Sequence, residues 1–144
     1  MLAFALAIPV RPDRHAPTPP VIAPLAAQMQ GRWQIVQYLA MDRMLPQNTI
    51  DNMSLVIEGG EMRVENNGAK KNVSTYTFTI DATKTPATFD FTSMSAKDLS
   101  FRGIVKIEGD VMTVCFDHGR GNRPAAFVPP ATSKAYLWQA RRVR

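Results

Sequence analysis

Residues 74–81 read STYTFTID, with Tyr76, Phe78 and Ile80 on one side of an extended chain and Thr75, Thr77 and Thr79 on the other. Successive side chains of a strand point to opposite faces, so this alternation specifies a strand with one buried face and one wet face. The stretch is one of eight. Residues 32–39, 53–58, 62–65, 89–91, 101–108, 111–117 and 135–141 also read as strands. Turn signals separate them: Gly59-Gly60, NNGAKKN at 66–72, ATKTP at 82–86 and Gly109-Asp110. Eight short strands without a long helical period predict an all-β chain. Consecutive strands tend to pair, and the arrangement that leaves no open edge is an eight-stranded antiparallel up-and-down barrel. A two-sheet sandwich of the same strands is the alternative. A barrel of this size is either filled by side chains or holds one small ligand.

The alternation begins abruptly after Gly31. Six of the eleven prolines, Pro9, Pro12, Pro17, Pro19, Pro20 and Pro24, precede it. Each fixes φ and removes a backbone donor, so residues 9–24 suit neither a helix nor a central strand. Residues 1–28 are expected to be an apolar leader and Pro-rich linker, disordered or cleaved, and residues 29–144 the barrel domain. Within 23–30, APLAAQMQ allows one or two helical turns that Gly31 would end. The leader opens on apolar residues, and ALA at 5–7 resembles a small-residue cleavage site. It lacks the basic start of a secretory signal and is too short to span a bilayer as a helix. It reads as the remnant of a signal whose start lies upstream, or as a short apolar leader. Export to the periplasm, envelope or exterior is expected, with the cytoplasm as the alternative.

Charge narrows the partners. The chain carries a formal +5, but residues 31–140 hold 12 basic and 11 acidic side chains, and Arg141, Arg142 and Arg144 add three more cations. A nucleic-acid binder usually shows a basic face with interleaved aromatics, and here both signs are scattered along the strands. Nucleic acid is therefore not the expected partner. The single cysteine, Cys115, sits between apolar residues and reads as a small buried hydrophobe.

Catalytic patterns are weak. His15 lies in the leader and His118 in a loop, and no Ser lies in a nucleophile-elbow context. Asp81 and Asp90 flank one turn, which reads more simply as turn chemistry with Asp81 capping backbone N–H groups. No Cys/His cluster, calcium loop or phosphate loop is present. The expectation is a non-enzymatic domain with neither metal nor cofactor. The interior candidates for ligand contact are Leu55, Ile57, Tyr76, Phe78, Phe89, Phe91, Val105, Met112, Val114 and Phe116. Such a lining suits both an apolar pocket and a filled core. In the loop DHGRGNRPAAF, Arg120 and Arg123 could offer two forks to an anion, and the simpler reading pairs Arg123 with an Asp.

Gly31-Arg32-Trp33 at the start of the first strand resembles the lipocalin opening. That resemblance implies that Trp33 plugs the closed end of the barrel and that a C-terminal Arg, Arg141 in preference to Arg142, packs over its ring. Gly31, Trp33 and Arg141 would then form the floor. The blocks QGRWQIVQ, LVIEGGEMRV, YTFTIDATKTPATFDF, GIVKIEGDVMTVCFD and NRPAAF resemble, in order and spacing, the uncharacterised lipocalin-like domains abundant in the bacterial planctomycetes. Val105 stands where those domains usually carry an aromatic. The resemblance implies a barrel and export, and carries no activity. The functional expectation is a monomer that takes a small hydrophobic ligand in its barrel. The alternative is a protein-interaction or inhibitor module on a filled barrel, acting on an envelope protein. No integral membrane span is expected.

Overall fold

A computed structural model describes residues 24–40, 43–68, 71–118, 121–128 and 135–144. The strands are β1 (Gly31–Ala40), β2 (Arg43–Met44), β3 (Met53–Glu58), β4 (Glu61–Asn66), β5 (Asn72–Asp81), β6 (Ala87–Ser93), β7 (Ser100–Glu108), β8 (Val111–His118) and β9 (Tyr136–Arg142). Two short helices accompany them, α1 (Leu25–Gln28) and α2 (Gln47–Ile50). From β3 to β9 each strand pairs antiparallel with the next. β1 pairs with β3 on one side and with β9 on the other, so eight strands close into a barrel with two-residue β2 as a spur on β1. The eight-stranded barrel expected from the alternation is the observed fold.

Two local departures have physical causes. MLPQNTIDN at 44–52 is turn-like in sequence, yet α2 lies within it and β2 ends at its first residue, Met44. The carboxamide of Gln34 donates to the carbonyls of Ile50 and Met53, both at 3.0 Å, and Ile50 is buried. One glutamine therefore ties α2 to the outer edge of β1. The second departure is a bulge in β1. Ala140 pairs with Ile35 but Gln139 pairs with Gln37, which leaves Val36 as an extra residue. The bulge resets the alternation. Trp33 and Ile35 face inward in one phase, and Tyr38 packs against the core in the other.

The interior is dense. Leu55, Ile57, Phe89, Phe91, Val105, Met112, Val114 and Phe116 are all buried in one cluster, with Tyr76 and Phe78 packed against it. Phe91 is its hub, with the rings of Phe101, Phe116, Phe89, Tyr76 and Trp138 at 4.8, 5.1, 5.2, 5.4 and 6.0 Å. Gly103 makes room for them. A Cβ there would lie 2.7 Å from the Cys115 carbonyl oxygen and 2.8 Å from Phe116 Cβ.

The floor of the barrel answers why folding begins at Gly31. Its φ of +117° is a conformation that side chains disfavour, and it turns the chain from α1 into β1. Trp33 is fully buried, and its indole N–H donates to the Met29 carbonyl at 2.9 Å. The cation over its ring is Arg142, 4.2 Å from the ring centre, and not the expected Arg141. Arg142 lies directly opposite Trp33 in the β9–β1 register, whereas Arg141 lies opposite Gln34 and is exposed. Strand alternation thus sends the two arginines to opposite faces. Arg142 also donates to the carbonyls of Gln30 at 3.0 Å and Gln28 at 2.6 Å. The folded unit therefore reaches back into the expected leader as far as Leu25, which packs on the core. Arg142→Ala should cost about 1–3 kcal/mol through lost stacking and charged hydrogen bonds. Arg141→Ala should stay within about 0.5 kcal/mol. Urea unfolding of the pair measures both, and equal losses would contradict the assignment.

Candidate functional site

In an up-and-down barrel, successive connections alternate between the two ends. The tight turns 59–60, 82–86 and 109–110 share the floor end with α1 and Arg142. The strand ends at Ala40, Asn66, Asn72, Ser93, Ser100, His118 and Tyr136 share the other end, the mouth, while the described residues 121–128 of the last connection run along the outer wall, where Arg123–Ala125 meet Lys84–Pro86. At the mouth the inward side chains are aromatic and carry polar tips. Tyr38 comes from β1, Tyr76 from β5, and Tyr136 and Trp138 from β9. The bulge at Val36 is what brings Tyr38 opposite Trp138.

The rings pack closely. Tyr38 lies 6.4 Å from Tyr136 and 6.0 Å from Trp138, while Phe116 stacks on Tyr136 at 5.0 Å and meets Trp138 edge-on at 4.8 Å. The three tyrosines are half-buried, whereas Trp138 is 4% exposed. Burial pushes the Tyr38 phenol above its ordinary value. The Trp138 indole N–H pulls it partly back, and the phenols of Tyr136 and Tyr76 push it up again. The indole therefore lies close to the Tyr38 hydroxyl, yet their geometry falls outside a hydrogen bond. Trp138 Nε1 is buried without an acceptor. A buried unpaired donor costs on the order of 1–3 kcal/mol, so this N–H favours any acceptor that can reach it. Tyr38, Tyr76, Tyr136 and Trp138 thus form an aromatic cluster at the mouth, here called the cup, packed on the Phe91 hub and holding one unpaired donor.

Of the ten expected lining residues, Tyr76 and Phe78 are half-buried, and only Tyr76 belongs to the cup. The other eight, Phe91 and Phe116 among them, are buried in the core beneath or around it. Of the cup residues, sequence reading missed Tyr38, Tyr136 and Trp138. Tyr136 and Trp138 alternate with Leu137 and Gln139, a signal that was legible in β9. Tyr38 was hidden by the bulge.

The proposed anion loop takes a different form. The fork of Arg123 grips Asp90, Nη1 to Oδ1 at 2.5 Å and Nη2 to Oδ2 at 3.1 Å, and Nη1 also donates to the Gly103 carbonyl at 2.8 Å. Its donors are committed to the barrel wall, as the simpler reading held. Arg120 lies outside the described residues. Two surface grooves, of about 360 and 430 Å³, flank the Arg123–Ala125 segment on that outer wall. Beside it Phe127 and Leu137 cover a small cluster of Ile104, Cys115 and Ala135. Burial, then Asp117, pushes the Cys115 thiol up to about 11, so it stays protonated at neutral pH.

The two carboxylates of the 81–90 segment are each occupied. Asp81 accepts from the Thr83 backbone N–H at 3.0 Å and from its hydroxyl, which holds its pKa below the usual carboxylate range. Asp90 is taken by Arg123. Among the described residues no group of three or more His, Cys, Asp or Glu could hold a metal ion. No described helix is long and apolar enough to cross a membrane. No family model, curated protein or solved structure matches the chain.

Proposed function

We propose that this barrel binds one small hydrophobic ligand at its mouth, seated on the aromatic cup of Tyr38, Tyr76, Tyr136 and Trp138. One observation carries the reading: Trp138 Nε1 is buried with no acceptor, at the wall of a half-buried aromatic surface. Aromatic side chains with a polar tip suit ligands that are largely apolar and carry one hydrogen-bond acceptor. The lipocalin-like order of the sequence blocks is a second support. The reading is of a binding protein rather than an enzyme, monomeric, and exported on the strength of its apolar leader.

Native mass spectrometry of protein purified from its own host tests this. A retained small molecule, lost in Trp138→Phe, is the expected result. Trp138→Phe keeps most of the ring but removes the donor, so ligand affinity should fall about tenfold. Unliganded stability should change by less than about 1 kcal/mol, because the lost ring volume is offset by removal of an unpaired donor. Host-purified protein with no bound mass, whose Trp138 emission no apolar compound alters, would sink the proposal.

A second reading is a protein-interaction or inhibitor module that acts on an envelope protein. It draws support from the five rings packed around Phe91, which leave the barrel centre occupied. A pull-down from envelope extract that recovers one partner, lost on deletion of residues 118–127, would favour it.

A further inference from the structure

Residues 121–128, between β8 and β9, lie on the outer wall of the barrel as a strap. The wall beneath them is unlike the outer face of β5, where the outward Thr77 and Thr79 are exposed, as suits a wetted surface. At the strap the outward row is apolar. Ile104, Cys115 and Leu137 stand directly opposite one another on β7, β8 and β9. Ile104 and Cys115 are buried, and Phe127 of the strap packs on them beside Leu137. The strap therefore shields a three-strand apolar row from water.

Its own footing is light. Asn122, Ala125, Ala126 and Val128 are exposed, and Pro124 has no N–H to donate. Among the described residues, no backbone hydrogen bond joins 121–128 to a strand. Grooves of about 360 and 430 Å³ run along its two sides. Two side chains fasten it. The Arg123 fork holds Asp90 of β6 and the Gly103 carbonyl of β7. Phe127 lies on the Ile104–Cys115 cluster, with Lys106 Nζ 4.7 Å from its ring centre. The ladders from β6 to β9 run strand to strand without the strap. Lifting it breaks one fork and one ring contact and leaves every ladder whole. A segment with exposed backbone and few buried contacts belongs to the low-stability end of a fold.

We propose that residues 121–128 are a latched strap that opens as a unit on the intact barrel, with the Arg123–Asp90 fork as its latch, and so controls access to the apolar row of β7, β8 and β9. The latch is of modest strength. The side chains of Arg123 and Asp90 are 32% and 42% exposed, so water and salt compete for both. Cys115 reports the opening. With the strap closed its thiol is fully buried, and with the strap lifted it meets solvent. Neither functional reading above is required for this movement.

The full chain is to be reacted with the disulfide reagent dithiodipyridine, and the released thiopyridone followed by absorbance. Cys115 is the single cysteine, so the rate belongs to it. The reagent is uncharged, so charge substitutions do not alter its approach. The wild type should react slowly, at a rate nearly flat in low urea, because a local opening exposes little surface. Asp90→Asn and Arg123→Gln should each speed the reaction about tenfold, and the double variant should add little to Arg123→Gln. Arg123→Lys, which keeps the charge but not the fork, should speed it about threefold. Added salt should speed the wild type and leave Arg123→Gln unchanged. Arg142→Ala weakens the barrel at its floor, far from the strap, and should leave the rate unchanged. An unchanged far-ultraviolet spectrum checks the fold of each variant. A wild type that reacts as fast as a free thiol would show that the strap does not close. A reaction that waits for the barrel to unfold, as fast a gain in Arg142→Ala as in Asp90→Asn, or no gain in the three latch variants would each overturn the proposal.

Discussion

Trp33→Ala should lower the unfolding free energy by about 3–5 kcal/mol. Trp33 is fully buried, its indole N–H is bonded to Met29, and Arg142 caps its ring. Burial of a Trp removes on the order of 200 Å² from water, worth roughly 5 kcal/mol as an upper figure. Removing it also leaves Arg142 without its stacking partner and the Met29 carbonyl without its donor. The loss should be global, with α1, β1 and β9 all less protected from hydrogen exchange. Chemical denaturation reads the magnitude. A wild-type midpoint for Trp33→Ala would mean that the floor is not built on this residue.

Phe91→Ala should cost a similar amount, about 3–5 kcal/mol, at the other level of the barrel. Five rings lie within 6.0 Å of Phe91, so its removal opens a cavity that no single neighbour can fill. An apolar cavity of this kind stays dry and accepts small hydrocarbons. Benzene should therefore restore part of the lost stability in Phe91→Ala while leaving the wild type unaffected. Thermal melts with and without benzene measure this. A wild-type protein stabilised to the same extent would show that the centre holds a ligand-sized space around Phe91 already.

The barrel was legible because its cause is local. Alternation in segments such as 74–81 fixes which face is buried, and pairs such as Gly59-Gly60 and Gly109-Asp110 fix where the chain turns back. The Asp81 turn and the Arg123–Asp90 pair also followed from short-range or bland readings. The cup was less legible. Its key residue Tyr38 is inward only because Val36 is bulged, and the bulge reflects the fit of β1 against β9, a hundred residues away in sequence. The choice of Arg142 over Arg141 has the same origin. One residue of register decides which side chain crosses to Trp33, and composition near the C-terminus does not encode that register. The short helix α2 depends on Gln34 in a preceding strand, so nothing within residues 47–50 announced it.

The seam between β1 and β9 also sets the order in which this molecule can come together. The Arg142 bonds to Gln30 and Gln28 join positions 112 and 114 residues apart. Until residue 142 is in place, β1 and β8 are both unpaired edges, each offering free backbone groups to another chain. Every hairpin from β3 to β8 can form locally, but closure must wait for the most distant pairing in the sequence. The last seven-residue strand therefore separates a set of hairpins prone to mispairing from a closed barrel whose one spare edge is the two-residue spur β2.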